Sequence, residues 1–270
     1  MTYIIGFCIG AILGLTGAGG SVVALPLLVG LLALPVQTAA GMSLGAVAMA
    51  AIIGLMARLR SGEIVWLPGL YFALIAIAAL PLGSYLNHRL PETLLLGLFA
   101  LLVITVAVRL WRQATDQPEA TAVVRAGGGS AEVKPPICRF THGKPGPRCF
   151  LQLGLAAILA GVLSGVFGVG GGFVIVPVLI FLTGISVHQA VATSILVISL
   201  VAGSGFVLFV VSGGSTDLNL LLPIAVGGIV GMLAGTGLAR YLAGPTLQKL
   251  FAVVMVLLAI GVLIQTLVKG

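Results

Sequence analysis

Charge is what this chain has least of. Only 7% of its 270 residues are charged, six of them Asp or Glu, while 60% are hydrophobic. A soluble domain carries about a quarter charged residues and roughly half apolar ones, so an ordinary water-soluble fold is excluded. No Asp, Glu, Lys or Arg stands midway along an apolar run, and Glu63, Glu92 and Asp217 all mark segment ends. The buried carboxylate on which pumps and proton relays depend is therefore missing. The three cysteines, Cys8, Cys138 and Cys149, make no even framework. Cys138, His142 and Cys149 lack the fourth ligand and the tight spacing of a zinc site, so neither metal nor cofactor is expected. There is no Walker motif, no HExxH and no defensible Ser/His/Asp set, so catalysis is not expected. Met1-Thr2-Tyr3 holds no Lys or Arg, so no basic region precedes the first apolar run, which is expected to be retained.

Long continuous apolar runs are what the chain does have. They cover roughly 3–33, 36–57, 67–88, 92–111, 150–183, 187–211, 219–242 and 246–268. Because they do not alternate, they predict an all-α polytopic membrane protein rather than a β-barrel. The 39 glycines suit closely packed membrane helices. Residues 113–149 interrupt the pattern with Pro118, Pro135, Pro136, Pro145, Pro147 and the run Gly127-Gly128-Gly129, and they carry five of the 13 basic residues. This stretch reads as a solvated linker. The net charge of +7 is spread over segment ends and this linker, so it sets orientation and is no nucleic-acid footprint.

A glycine-rich motif occurs twice. Gly14-Leu15-Thr16-Gly17-Ala18-Gly19-Gly20 with Pro26 matches Gly165-Val166-Phe167-Gly168-Val169-Gly170-Gly171 with Pro177, 151 residues later. The match runs without a gap from Gly10–Gly54 to Gly161–Gly205, with 14 of 45 positions identical. Further on, at an offset of 152, Gly83 pairs with Gly235 and Leu98-Phe99-Ala100 with Leu250-Phe251-Ala252. The expected organisation is therefore a first repeat at 1–112, the basic linker at 113–149 and a second repeat at 150–270. Many secondary transporters are built in this way around a shared central site.

The segments 3–33 and 150–183 are too long for one straight span and too short for two. Splitting each at its glycines leaves arms of about 14 residues, about 21 Å at helical rise, against a hydrocarbon core of about 30 Å. A helical hairpin that enters and leaves on one side would leave three spans per repeat and make the repeats inverted. A single broken helix would give four spans and parallel repeats. In the hairpin arrangement Arg58, Arg60, Arg109, Arg112, the five basic linker residues, Arg240 and Lys249 share one side, against Arg89 and Lys269. The broken helix moves Arg240 and Lys249 across to Arg89 and brings Lys269 to the majority. Both arrangements put the linker in the cytoplasm. The short arms favour the hairpin.

A helix that starts after Gly20 or Gly171 leaves orphan backbone N–H groups at its N-terminus, where the macrodipole adds positive charge. Such an end binds anions without a basic side chain, and glycine lets a ligand approach the backbone. The expected substrate contacts are Gly17, Gly19 and Gly20 in the first loop and Gly168, Gly170, Gly171 and Gly172 in the second. The following segments open with matched polar residues: Gln37, Thr38, Met42 and Ser43 pair with His188, Gln189, Thr193 and Ser194. Ser43, Thr193 and Ser194 are candidate hydroxyl donors to an oxyanion. His188, Gln37 and Gln189 are candidates for gating or proton relay. Interhelical hydrogen bonding or helix capping would use the same residue types.

The signature Gly165-Val166-Phe167-Gly168-Val169-Gly170-Gly171-Gly172 with Pro177, the stretch Ala190-Val191-Ala192-Thr193-Ser194 and the basic linker resemble the sulfite exporter TauE/SafE family. The resemblance implies a multi-pass transporter in the inner membrane of a bacterium or archaeon, carrying small sulfur-containing anions such as sulfite, thiosulfate or organosulfonates. Its partners would be that anion and the lipid bilayer, with a homodimer as the assembly to look for, and no nucleic acid. The first copy departs from the pattern: Ser21 replaces the third glycine, and Gly41-Met42-Ser43 replaces Ala-Thr-Ser. An anion channel of the same architecture and a non-transporting membrane scaffold are the alternatives.

Overall fold

The computed structural model describes residues 1–17, 20–32, 34–59, 62–116, 147–214 and 216–238, together with Val253 and Val256. Regular structure among them is entirely helical: α1 Thr2–Thr16, α2 Gly20–Leu32, α3 Val36–Leu59, α4 Trp66–Arg89, α5 Glu92–Asp116, α6 Pro147–Phe167, α7 Gly172–Thr183, α8 Val187–Val211 and α9 Leu218–Leu238. Five helices among the described residues are long and apolar enough to cross a membrane: α3, α4, most of α6, most of α8 and α9. The protein is thus an all-helical, multi-pass membrane protein. The apolar run expected at 246–268 lies outside the described residues apart from Val253 and Val256, and so does most of the linker. Its edges are helical: α5 continues to Asp116, and α6 begins at Pro147, where proline's missing N–H and fixed φ suit a first helical position. Cys149, at the start of α6, is disulfide-bonded, which the odd cysteine count did not predict.

Both predicted interruptions are present as breaks between helices; α1, α2 and α7 have 15, 13 and 12 residues, but α6, at 21, is longer than the expected arm and is itself long enough to span. α1 ends where Gly17 turns left-handed at φ 70° and its N–H closes on the Leu13 carbonyl. α6 ends in the same way, with Gly168 at φ 64° and its N–H on the Ser164 carbonyl at 2.8 Å. The first residue after each break lies close to the helix before it. Gly20, the first residue of α2, sits against the Ile9 carbonyl and Leu13 of α1, and Gly171 sits against Ala160 of α6.

Small residues then decide how the helices pair. α1 lies along α9 with Gly6, Gly10 and Gly14 against the carbonyls of Ile224, Gly228 and Met232, and Gly227, Gly231 and Gly235 against those of Tyr3, Phe7 and Ala11. α6 lies along α4 in the same fashion: Gly161 faces the Ala76 carbonyl, Gly165 that of Leu80, and Gly83 that of Val162. With lipid as apolar as leucine, close backbone approach of this kind is what holds membrane helices together. α3 crosses α8 between these pairs, and α3 also meets α9 while α8 meets α4.

The contacts also give directions. Tyr71 donates to the Phe150 carbonyl at 3.1 Å and Asn87 to that of Val166 at 2.5 Å, so α4 and α6 run parallel from a shared end. The Val65 N–H meets Thr193, which places the start of α8 at that same end. α9 then starts at the opposite end, and α1, parallel to it, starts there too. α1 and α6 therefore enter the bundle from opposite ends. Large apolar side chains such as Leu74, Leu82, Leu151, Leu159 and Leu222 remain exposed on the outside, as a lipid-facing surface requires.

A side chain at Gly161 would overlap the Ala76 backbone, whereas Gly97 on α5 has open space around it. Gly161→Val should therefore destabilise the protein by about 3 kcal/mol or more, at or above the upper end of ordinary overpacking, because a backbone cannot yield as a side chain does. Gly97→Val should change little. Thermal unfolding of both variants in detergent is the measurement, and equal melting temperatures would mean that the α4–α6 contact is looser than described.

Candidate functional site

The two glycine breaks are buried deep in the bundle, and each is tied down by a serine from elsewhere in the chain. Ser43 on α3 donates to the carbonyl of Gly168 and lies 2.9 Å from that of Ala40 in its own helix. Ser194 on α8 lies 2.9 Å from the Gly17 carbonyl and 2.8 Å from that of Val191. Each hydroxyl has one proton to give, so it is shared between the two carbonyls. Both serines are fully buried. The left-handed glycines fit close beneath the same helices: a side chain at Gly17 would strike Val191, and one at Gly168 would strike the Ala40 backbone.

The other residues singled out in the sequence fall as follows. Gly170 and Gly171 have φ of 63° and 66°, so the second loop needs glycine at both positions. Gly171 is the N-cap of α7, with no side chain capping it, and Gly172 is the first residue of that helix. Gly168 to Gly172 are buried without exception. Gly20 opens α2 and is buried, while Gly19 lies outside the described residues. The Thr193 hydroxyl accepts the Val65 N–H at 3.0 Å, tying α8 to the segment before α4. Gln189 is occupied in a capping box, its amide oxygen accepting from the Ser186 N–H while its own N–H donates to the Ser186 hydroxyl. His188 is exposed at the start of α8, and Gln37 is half-buried on α3.

Two groups escaped the sequence reading. A cavity of about 30 Å³ has Gln37, Ser84, Asn87 and His88 on its polar side and apolar residues such as Leu80 and Phe209 on the other, with room for a few waters at most. Asn87 is buried there and holds the Val166 carbonyl just ahead of the second glycine loop. Ser164 is fully buried in α6 and its hydroxyl has no partner. Neither lies in a recognisable motif. The only hint in the sequence is that Ser164 stands where the first repeat has Leu13. No group of three or more His, Cys, Asp or Glu that could hold a metal occurs among the described residues.

The family model of the sulfite exporter TauE/SafE matches residues 2–262. The chain belongs to that family. It is 31% identical over 264 residues to a "Probable membrane transporter protein" of Xylella fastidiosa strain Temecula1, covering 96% of this chain and 92% of the relative. It is 29% identical over 237 residues to "Probable membrane transporter protein YdhB" of Bacillus subtilis, covering 85% of each chain. A "Probable membrane transporter protein" of Haemophilus influenzae is 26% identical, with 97% of both chains covered. No solved structure matches the chain.

The serine bonds predict stability effects independent of any ligand. Ser43→Ala and Ser194→Ala each leave a buried glycine carbonyl without its cross-bundle donor, and should cost about 1–3 kcal/mol. Denaturation of the ligand-free protein is the check. Unchanged stability in both variants would show that these bonds do not brace the loops.

Proposed function

We propose that this TauE/SafE protein is an inner-membrane secondary transporter that exports a small sulfur-containing anion: sulfite, thiosulfate or an organosulfonate. The observation that carries this reading is the second glycine loop, a buried helix N-terminus with no side-chain cap, in a bundle with no buried charged side chain among its described residues. Orphan N–H groups and the helix dipole give such a place affinity for an oxyanion, and low dielectric strengthens the attraction. The family and the names of the relatives point to transport and to no chemical reaction. The sealed state of the loop, with Gly168 to Gly172 all buried, favours a carrier that alternates access over an open anion channel.

In this reading 1–112 and 150–270 are inverted repeats, each beginning with a re-entrant hairpin. Support comes from the opposite starting ends of α1 and α6 and from the length of α1, α2 and α7, at 15, 13 and 12 residues, while α6, at 21, is long enough to cross by itself. The substrate-facing groups are the backbones of Gly19 and Gly20 and of Gly170, Gly171 and Gly172, while Gly17 and Gly168, whose N–H and carbonyl are both engaged within the bundle, shape the loops. Ser43 and Ser194 hold those loops through the bonds described above, Thr193 ties α8 to the segment before α4, and His188 and Gln37 are the candidates for gating. The basic linker 113–149 faces the cytoplasm on the balance of positive charge. One observation favours the opposite orientation: the disulfide at Cys149 belongs more naturally outside a reducing cytoplasm.

Counterflow of labelled sulfite and thiosulfate in proteoliposomes, with and without a pH gradient, tests the function. Saturable counterflow is expected. Flux that never saturates would indicate a channel, and no flux a scaffold. Orientation is tested in a background free of native cysteines. A cysteine at position 2 should label from outside intact cells, and one at position 114 only after permeabilisation. The reverse pattern would establish the orientation that the disulfide favours.

A further inference from the structure

Two buried hydroxyls among the described residues have no hydrogen-bond partner, Thr216 in the loop before α9 and Ser164 within α6, and of these Ser164 lies inside a helix of the bundle. It is 0% exposed and its hydroxyl has no hydrogen-bond partner, an arrangement that costs stability unless something else completes it. Its place on α6 says what that could be. Ala160, one turn earlier and on the same helix face, is the residue nearest to Gly171, where a side chain would stand 3.1 Å from the Ala160 carbonyl. The face carrying Ala160 and Ser164 is thus turned to the beginning of α7, a helix of 12 residues whose N-cap, Gly171, supplies no side-chain cap. The helix face that carries a donor hydroxyl without an acceptor therefore looks toward a helix start that no side chain caps. Both want an acceptor that carries negative charge.

We propose that Ser164 is a substrate-binding residue, its hydroxyl and the N-terminal N–H groups of α7 together holding a small oxyanion of the sulfite or thiosulfate class. The hydroxyl donor belongs to the second repeat alone. The corresponding residue of the first repeat is Leu13, fully buried and packed against Gly20, so the first loop offers no side-chain donor there. The two loops then bind unequally, since the second adds a side-chain hydroxyl to its backbone donors and the first has backbone alone. This inference rests on the reading of the protein as a sulfur-oxyanion transporter.

The test is thermal unfolding and binding of sulfite and thiosulfate by the full-length protein in detergent, with chloride as control, for wild type, Ser164→Ala and Leu13→Met. Without ligand, Ser164→Ala should melt at or above the wild-type temperature, since only an unpartnered hydroxyl is lost. With sulfite, it should bind on the order of tenfold or more weaker, as a lost hydrogen bond to a charged acceptor implies. Leu13→Met should keep wild-type affinity. If wild type binds neither anion, the transport reading itself fails and the inference with it. If wild type binds and Ser164→Ala binds equally well, Ser164 is no ligand while the transport reading stands. A ligand-free Ser164→Ala that melts well below wild type would mark a structural role and equally overturn the assignment.

Discussion

A membrane chain that breaks its own helices must find partners for the backbone groups it frees, because the hydrocarbon supplies none. The rest of this structure depends on how that is done. At each break the carbonyl of the left-handed glycine, Gly17 or Gly168, turns to a hydroxyl on a helix of the other half, Ser194 or Ser43. The breaks are therefore not local events. Each is completed only when α3 and α8 have crossed, so the two halves cannot take up their final form separately. The N–H end of the second break is left differently. It receives no side chain, and the acceptor it lacks is what gives the loop its chemical interest.

Close approach of backbones makes that crossing attainable. Glycines on α1, α6, α4 and α9 bring helix axes together until carbonyls of one helix rest on glycines of the next. Such contacts gain from dispersion and tight fit rather than from apolar burial. They also fix direction: α4 and α6 run together from one end, α1 and α9 from the other. Those pairings set the starts of α1 and α6 at opposite ends of the bundle, α1 being short at 15 residues and α6, at 21, long enough to span.

Much of this was legible in the residues. Continuous apolar runs gave the helices nearly to their ends, and the doubled glycine motif located both breaks, because glycine is the residue that takes positive φ without strain. The polar residues after each motif were recognisable as important, but their roles were not. Ser43 and Ser194 were as suited to bind an anion as to brace a carbonyl, and only the positions of Gly168 and Gly17 showed that their protons are already engaged. Gln189 stood as a candidate gate, and its side chain is engaged in a helix cap. Asn87 and Ser164 carried no motif, and their meaning comes from what they lie beside.

The sequence by itself determined that this is a membrane protein of helices, broken twice at matched places, with no charge midway along an apolar run. Each of these properties is set by composition or by local backbone preference, and none needs distant neighbours. The tertiary structure decided which end each helix starts from, which carbonyl each serine serves and which hydroxyl is left over. Those depend on contacts between residues far apart in the chain, as with Ser194 and Gly17 or Asn87 and Val166. A hydroxyl looks the same in a sequence whether its proton is used or free, and only its surroundings distinguish the two.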